Sequence, residues 1–266
     1  MSLQRLPLYA SGAPWVAGSG VPRLIDRQDL IHPDSFAGSR TIAFTCHGCG
    51  DCCKGSTIIL SPFDFARLAA FSGEPPRAML KERCILLKHP QTNLPTVMLE
   101  TVPRCSFLDD ENRCTAYGDR PLVCRGYPLG VLTDLNRPEW RASLTQFSIR
   151  ASPCPKPQGP SPPLPMVRTL HAMATDAGME VYAEAYRTWA RLCWDIATES
   201  PYPELPPEQV AAFDRELVDT FFRDAPAPQG ESQTFAEFIA RVRAFRARHR
   251  LLRAPRAEVS GEPLDA

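Results

Sequence analysis

Cys46-His47-Gly48-Cys49-Gly50-Asp51-Cys52-Cys53 packs four thiols into eight residues, and the reading of the whole chain turns on what those thiols require. Two residues between successive cysteines let a tight turn bring both sulfurs onto one metal ion at about 2.3 Å. Cys46 with Cys49, and Cys49 with Cys52, meet that spacing. Gly48 and Gly50 can take the positive φ that such turns need, and they leave room for backbone amides to approach sulfur. Cys53 stands apart. Adjacent side chains in extended backbone point to opposite sides, so Cys52 and Cys53 do not both fit as terminal ligands of one compact tetrahedral ion. The doublet implies either two centres or one larger cluster.

Around this stretch, 266 residues with 44% hydrophobic side chains suffice for the core of one large domain or two modest ones. Thirty basic residues balance thirty acidic ones, which gives no electrostatic case for nucleic acid or an anionic membrane as partner. Ten cysteines would suit a disulfide framework in a secreted protein. However, the uncharged residues 6–22 are broken by Pro7, Gly12, Pro14, Gly18, Gly20 and Pro22 and hold no signal-peptide core. No run approaches the roughly 18 apolar residues of a membrane span. The expectation is a soluble, cytoplasmic protein whose thiols stay reduced unless metallated.

Residues 1–40, rich in proline, glycine and serine, read as an irregular arm, and Gly18-Ser19-Gly20 as a turn rather than a phosphate loop. Thr41–Thr45 predicts a strand entering the cysteine stretch and Ser56–Leu60 one leaving it. Ser61 as N-cap, Pro62 at the first helical position and Asp64 reaching back predict a helix that stops at Gly73. A second helix is expected over Pro76–Leu87, with Cys84 as a buried apolar thiol. Leu94–Val102 reads as a strand. Cys105 and Cys114 flank a polar turn, Asp109–Asn112, that predicts a small hairpin drawing the two thiols together. Pro121 predicts a single helical turn presenting Cys124.

Val131–Leu135 and Trp140–Phe147 predict a hairpin about Asn136-Arg137-Pro138. Cys154 opens a stretch with seven prolines between Pro153 and Pro165, read as a crossover or linker. Helices are expected over 167–199, with a break near Gly178, over Pro207–Phe222, and from a Thr234/Glu237 capping box onward. Cys193, on the first of these, reads as a core thiol. The arginines at 241, 243, 246, 248 and 250 predict a solvated basic face open to an acidic partner. The fold class expected is α+β: a small irregular cysteine-rich domain over 41–160, a helical region over 161–252 and a disordered tail over 253–266.

The opening run, together with Cys105, Cys114 and Arg120-Pro121-Leu122-Val123-Cys124-Arg125-Gly126-Tyr127-Pro128, resembles the YkgJ-type cysteine-cluster family over residues 41–160. That resemblance implies a zinc- or iron-chelating domain with metal ligands Cys46, Cys49, Cys52, Cys53, Cys105, Cys114, Cys124 and Cys154. It also places Asp64 and Arg67-Leu68 on the helix after the opening. The family includes iron–sulfur oxidoreductases and relatives of flagellin lysine N-methylases, which implies a protein partner or protein substrate.

Eight thiols would make two four-cysteine zinc sites of the kind that serve folding. Cys46, Cys49 and Cys52 also reproduce the first three positions of a ferredoxin-like run, although Cys53 follows where three residues should intervene. An iron–sulfur cluster is preferred over zinc, because the doublet suits multi-iron ligation better than two separate tetrahedra. A radical S-adenosylmethionine pattern fails at Ser56, and a methyltransferase glycine-rich turn is absent from the sequence. A zinc-stabilised binding module and a protein lysine N-methylase are the competing readings. His47 reads as a solvent-facing turn residue within the cluster. Arg120 and Arg125 are candidates to neutralise thiolate charge or to pair with Asp119.

Overall fold

Helix-start chemistry, two-residue periodicity and proline placement divide the chain into short elements. In order they are β1 (Leu30–Ile31), β2 (Thr41–Ala43), β3 (Ile58–Ile59), α1 (Pro62–Ser72), α2 (Pro76–Arg83), β4 (Cys84–Lys88), β5 (Pro95–Leu99), α3 (Leu122–Gly126), β6 (Leu129–Leu132), β7 (Gln146–Ile149), β8 (Val167–Thr169), α4 (Met179–Glu199), α5 (Pro207–Val218) and α6 (Glu231–Arg248). The structure, a computed structural model, describes residues 50, 53–56, 58–89, 92–125, 181–182, 184–225 and 230–249, together with the backbone of 30–31, 41–43, 126, 129–132, 146–149, 167–169, 179–180 and 183. The class is α+β. Among the described residues no helix is long and apolar enough to cross a membrane.

α1 begins as expected. Ser61 accepts from the Asp64 N–H at 3.1 Å, and Asp64 Oδ2 accepts from the Ser61 N–H at 3.0 Å, a reciprocal capping box with Pro62 in the first turn. Gly73 closes the helix in the left-handed region at φ 67°.

α2 is shorter than its pattern suggested. It ends at Arg83, and Cys84–Lys88 is extended from φ −127° at Cys84 onward. The reason is tertiary: Ile85-Leu86-Leu87 pair antiparallel with Met98-Val97-Thr96, and the strand ladder satisfies their amides in place of a helix. β5 is the centre of a three-stranded sheet in the order β3-β5-β4. Pro95, Val97 and Leu99 are buried in alternation with half-buried Thr96 and Met98.

Other strands differ from expectation because their partners are remote in sequence. Within the arm, Leu30–Ile31 pairs with β7, making a sheet ordered β1-β7-β6. The predicted hairpin exists with a shifted register: Leu129–Leu132 pairs with Gln146–Ile149, and its turn at 136–138 lies outside the described residues. The stretch expected to open the C-terminal helices begins instead as strand β8, antiparallel to β2, and the long helix starts at Met179. The seven-proline stretch and the tail over 253–266 also lie outside the described residues.

The cysteine-bearing half and the helices share one hydrophobic cluster. Phe63 of α1 is fully buried and meets Tyr182 of α4 edge-on at 4.9 Å and Phe235 of α6 at 5.9 Å. Phe65 meets Phe222 at 5.4 Å, and Phe222 meets Trp189 at 5.8 Å. Phe222 belongs to a π-helical turn, Asp219–Arg223, that continues α5. A polar strap reinforces this docking. Lys88 of β4 donates to the Asn93 carbonyl at 2.9 Å and pairs with Asp214 of α5, whose Oδ1 also receives the Tyr202 hydroxyl at 2.9 Å.

α6 starts earlier than the Thr234/Glu237 box implied. Gly230 precedes it, and Thr234 lies inside the first turn, its hydroxyl donating to the Gly230 carbonyl at 2.6 Å. Three of its arginines, Arg241, Arg246 and Arg248, meet neighbouring elements rather than solvent alone. Arg246 joins Arg191 on the buried Asp195 at 2.5 and 2.8 Å, Arg248 pairs with Glu216 at 2.7 Å, and Arg241 donates to the Asp224 carbonyl at 2.7 Å.

Phe63→Ala should cost about 3–5 kcal/mol, the usual loss for emptying a large aromatic site in a core. Urea unfolding followed by tryptophan fluorescence and far-ultraviolet dichroism should still give coincident transitions, since α1 and the helices bury the same side chains. A second prediction concerns His89, in the turn before β5. Burial holds its pKa down at about 4. Between that value and the ordinary value near 6.5 the unfolded chain binds the extra proton, so His89 contributes stability above pH 6.5 that is lost as the pH falls toward 4. His89→Asn, whose Oδ1 can replace Nδ1 as acceptor for the Thr92 N–H, should flatten this part of the melting-temperature profile relative to wild type.

Candidate metal centre

Two thiols are placed by the hairpin that the sequence predicts. Asp109 Oδ1 accepts the Glu111 N–H at 3.0 Å and the Arg113 N–H at 2.7 Å, an aspartate-centred turn. Asn112 takes the left-handed conformation at φ 62°, which its short polar side chain tolerates. The strands close through a Leu108–Cys114 bridge and a Thr115 N–H to Phe107 C=O bond of 2.8 Å. Cys105 turns back into this hairpin, its carbonyl accepting the Leu108 N–H at 3.2 Å. Burial pushes the Cys105 thiol pKa up, and the proximity of Cys114 adds to this; the Phe107 N–H, bonded to the Cys105 sulfur, works the other way. An amide aimed at sulfur is the contact that stabilises a thiolate ligand.

The opening stretch docks on this hairpin. Gly50 adopts φ 70°, and the Cys53 N–H donates to its carbonyl at 2.9 Å. A Cβ at Gly50 would stand 2.9 Å from both Cβ and O of Asn112 and 3.3 Å from Leu108 Cδ1. Glycine is therefore needed twice here, for the positive φ and for the approach of the hairpin. The Cys53 carbonyl then accepts the Cys105 N–H at 2.9 Å. Gly48 lies outside the described residues.

Cys124 arrives on α3, the single turn after Pro121, where the Arg125 N–H donates to the Pro121 carbonyl at 2.9 Å. The turn is anchored from α1: Asp64 Oδ1 accepts the Leu122 N–H at 2.9 Å while Oδ2 remains in the capping box. Asp64 is 1% exposed, and burial pushes its pKa up to about 6 against the opposing hydrogen bonds from Ser61 and Leu122 and the charge of Arg125. Its capping role was visible in the sequence. Its bond to Leu122 was not, since no local pattern links positions 58 residues apart.

The arginines of the Arg-Pro-Leu-Val-Cys-Arg segment take partners other than the expected Asp119. Arg120 lies over the Tyr117 ring at 3.6 Å and donates to the Tyr117 carbonyl at 3.0 Å. Arg125 donates to the Arg120 carbonyl at 2.8 Å and to the Tyr182 hydroxyl at 2.8 Å. Asp119 pairs instead with Arg67 of α1. The Arg67 Nε is buried without a hydrogen-bond partner.

Of the expected ligands, Cys53, Cys105, Cys114 and Cys124 are described, and all but the buried Cys105 are half-buried against the core. Cys46, Cys49, Cys52 and Cys154, and also His47, lie outside the described residues. Among the described residues no three His, Cys, Asp or Glu side chains converge as a metal-binding group. Cys84 and Cys193, read as core thiols, pack half-buried against the core. Burial raises both pKa values, that of Cys84 to about 12.

These features describe an α+β protein in which a cysteine-bearing turn is docked on a cysteine-bearing hairpin. Residues 45–155 match a family model, CxxCxxCC, whose description is "Putative zinc- or iron-chelating domain". The match starts one residue before Cys46 and ends one after Cys154, so it spans all eight expected ligands. No curated protein and no solved structure matches the chain. The donor chemistry fits such a metal: the thiols are soft ligands suited to zinc or iron, and an amide already faces the Cys105 sulfur.

Gly50→Ala and Gly55→Ala separate strain from crowding. Both glycines have φ near 70°, but an added Cβ at Gly55 meets nothing within 4 Å. Gly55→Ala should cost about 1–2 kcal/mol, the ordinary left-handed penalty. Gly50→Ala should cost more in thermal melts and should also reduce bound metal, because the turn must lift off the hairpin.

Proposed function

We propose that the chain is a cysteine-cluster metalloprotein in which Cys46, Cys49, Cys52, Cys53, Cys105, Cys114, Cys124 and Cys154 hold iron as an iron–sulfur cluster, serving a redox or protein-modifying role in a reducing compartment. The observation that carries the reading is the bond from the Cys105 N–H to the Cys53 carbonyl, which sets the backbone of the last cysteine of the opening run beside that of the first of the later ones. The Cys52–Cys53 doublet favours iron, since adjacent thiols suit different corners of a multi-iron centre better than one tetrahedral zinc. When bound, such a cluster would supply electron transfer at a potential set by the hydrogen bonds to its sulfurs and by its exposure. The residues' own part is to bind and to exclude water. The hairpin presents Cys105 and Cys114 from a buried surface, α3 presents Cys124, and the Phe107 amide supports the sulfur of Cys105.

Anaerobic purification followed by iron, zinc and acid-labile sulfide analysis tests this. Iron and sulfide in comparable amounts are expected; two zinc ions without sulfide would overturn the iron–sulfur reading in favour of a zinc-stabilised binding module. Cys49→Ser and Cys124→Ser should each lose metal and stability, whereas Cys193→Ser should keep the metal. Equal loss from all three would contradict the division between ligand and core thiols.

A further inference from the structure

Asp64 does more than a capping box requires. A box of this kind uses the side chain to reach back to the N-cap amide, and Oδ2 alone does that, at 3.0 Å from the Ser61 N–H and 2.7 Å from the Ser61 Oγ. The second oxygen is directed away from its own helix, to the Leu122 N–H at 2.9 Å. Leu122 is the first residue of α3, and Cys124 sits two residues further on. A helix this short has little internal hydrogen bonding to fix its orientation. Its placement depends on what holds its first amide, and that acceptor is a carboxylate buried to 1% exposure in the start of α1.

Burying a carboxylate is costly unless several donors meet it. Here three do, two from Ser61 and one from Leu122. The same junction is closed on its other side by Arg125, whose guanidinium reaches the Tyr182 hydroxyl on α4 and lies 4.0 Å from that ring. α3 is thereby held between α1 and α4 by polar contacts at both of its ends. On the proposed metal-binding reading, we infer that Asp64 is a positioning residue for the metal centre: through the Leu122 N–H it fixes the helical turn that carries Cys124.

Asp64→Asn separates this role from plain helix capping, because an asparagine can keep one acceptor but not serve both Ser61 and Leu122 as a carboxylate does. Ser61→Ala is the control. It removes a capping partner from α1 and leaves the Leu122 bond in place. Three quantities are read on the metal-loaded full chain: metal affinity by competition with a chelator, the melting temperature, and alkylation of each cysteine by iodoacetamide followed by mass spectrometry.

Loss of an outer partner of a ligand typically weakens metal binding 10–100-fold. Asp64→Asn should therefore bind metal at least about tenfold more weakly. Cys124 should become the first thiol alkylated, ahead of Cys105 and Cys114. Ser61→Ala should lower the melting temperature yet keep wild-type metal affinity and protection of Cys124. A folded Asp64→Asn variant with wild-type affinity and a protected Cys124 would overturn the inference, as would equal metal loss in Ser61→Ala. Wild-type protein that takes up no metal overturns the metal-binding reading itself, a distinct result visible before either variant is compared.

Discussion

The hydrogen bond from the Cys105 N–H to the Cys53 carbonyl is the contact on which the rest of the site depends. Bringing together residues 52 positions apart costs roughly 3.5 kcal/mol of chain entropy beyond a constant. A metal ion binding flexible thiols would have to offset that cost by itself. This fold meets it with packing. β3 pairs with β5, and the pairing runs on past the strands. The Gly55 N–H donates to the Thr101 carbonyl at 2.9 Å, the Thr101 hydroxyl donates to the Ser56 carbonyl at 2.7 Å, and Cys53 meets Cys105 in the same direction. The two cysteine-bearing segments are thus neighbours because Ile58, Leu60, Val97 and Leu99 are buried together.

α1 lies at the centre of this arrangement. It buries Phe63 and Phe65 against the C-terminal helices, and its first turn supplies the Asp64 carboxylate that holds α3. Arg67, one turn further along, pairs with Asp119 just ahead of Cys124's helix. Apolar packing and polar anchoring therefore act through the same eleven-residue element. The helical region forms part of the support of the cysteine-bearing half, because Tyr182 touches Phe63 and Arg125 at once.

The charge distribution follows the same logic. The arginine series of α6 suggested a surface for an acidic partner, yet Arg246 joins Arg191 on Asp195 and Arg248 meets Glu216. A carboxylate as buried as Asp195 demands such partners, so part of the basic face is used in fastening α6 to α4 and α5. Near the thiols, Arg120 and Arg125 bind carbonyls and aromatic surface that keep the Tyr117–Gly126 segment in shape.

The sequence alone determined what is set by neighbours within a few positions. Ser61-Pro62 with Asp64 fixed the start of α1, Gly73 its end, Asp109–Asn112 the hairpin between Cys105 and Cys114, and Pro121 the turn bearing Cys124, because each depends on local dihedral preference and short-range hydrogen bonds. The match of residues 45–155 to the CxxCxxCC model was legible for the same reason, being written in cysteine spacing. Tertiary structure alone decided that Cys84–Lys88 would be a strand, that Leu30–Ile31 and Val167–Thr169 would pair with remote segments, and that Gly50 must admit Asn112. It also decided that the second oxygen of Asp64 would hold Leu122. These outcomes rest on contacts between residues far apart in the chain, whose energies arise only when packing has brought the partners together and which leave no periodicity or motif at either end.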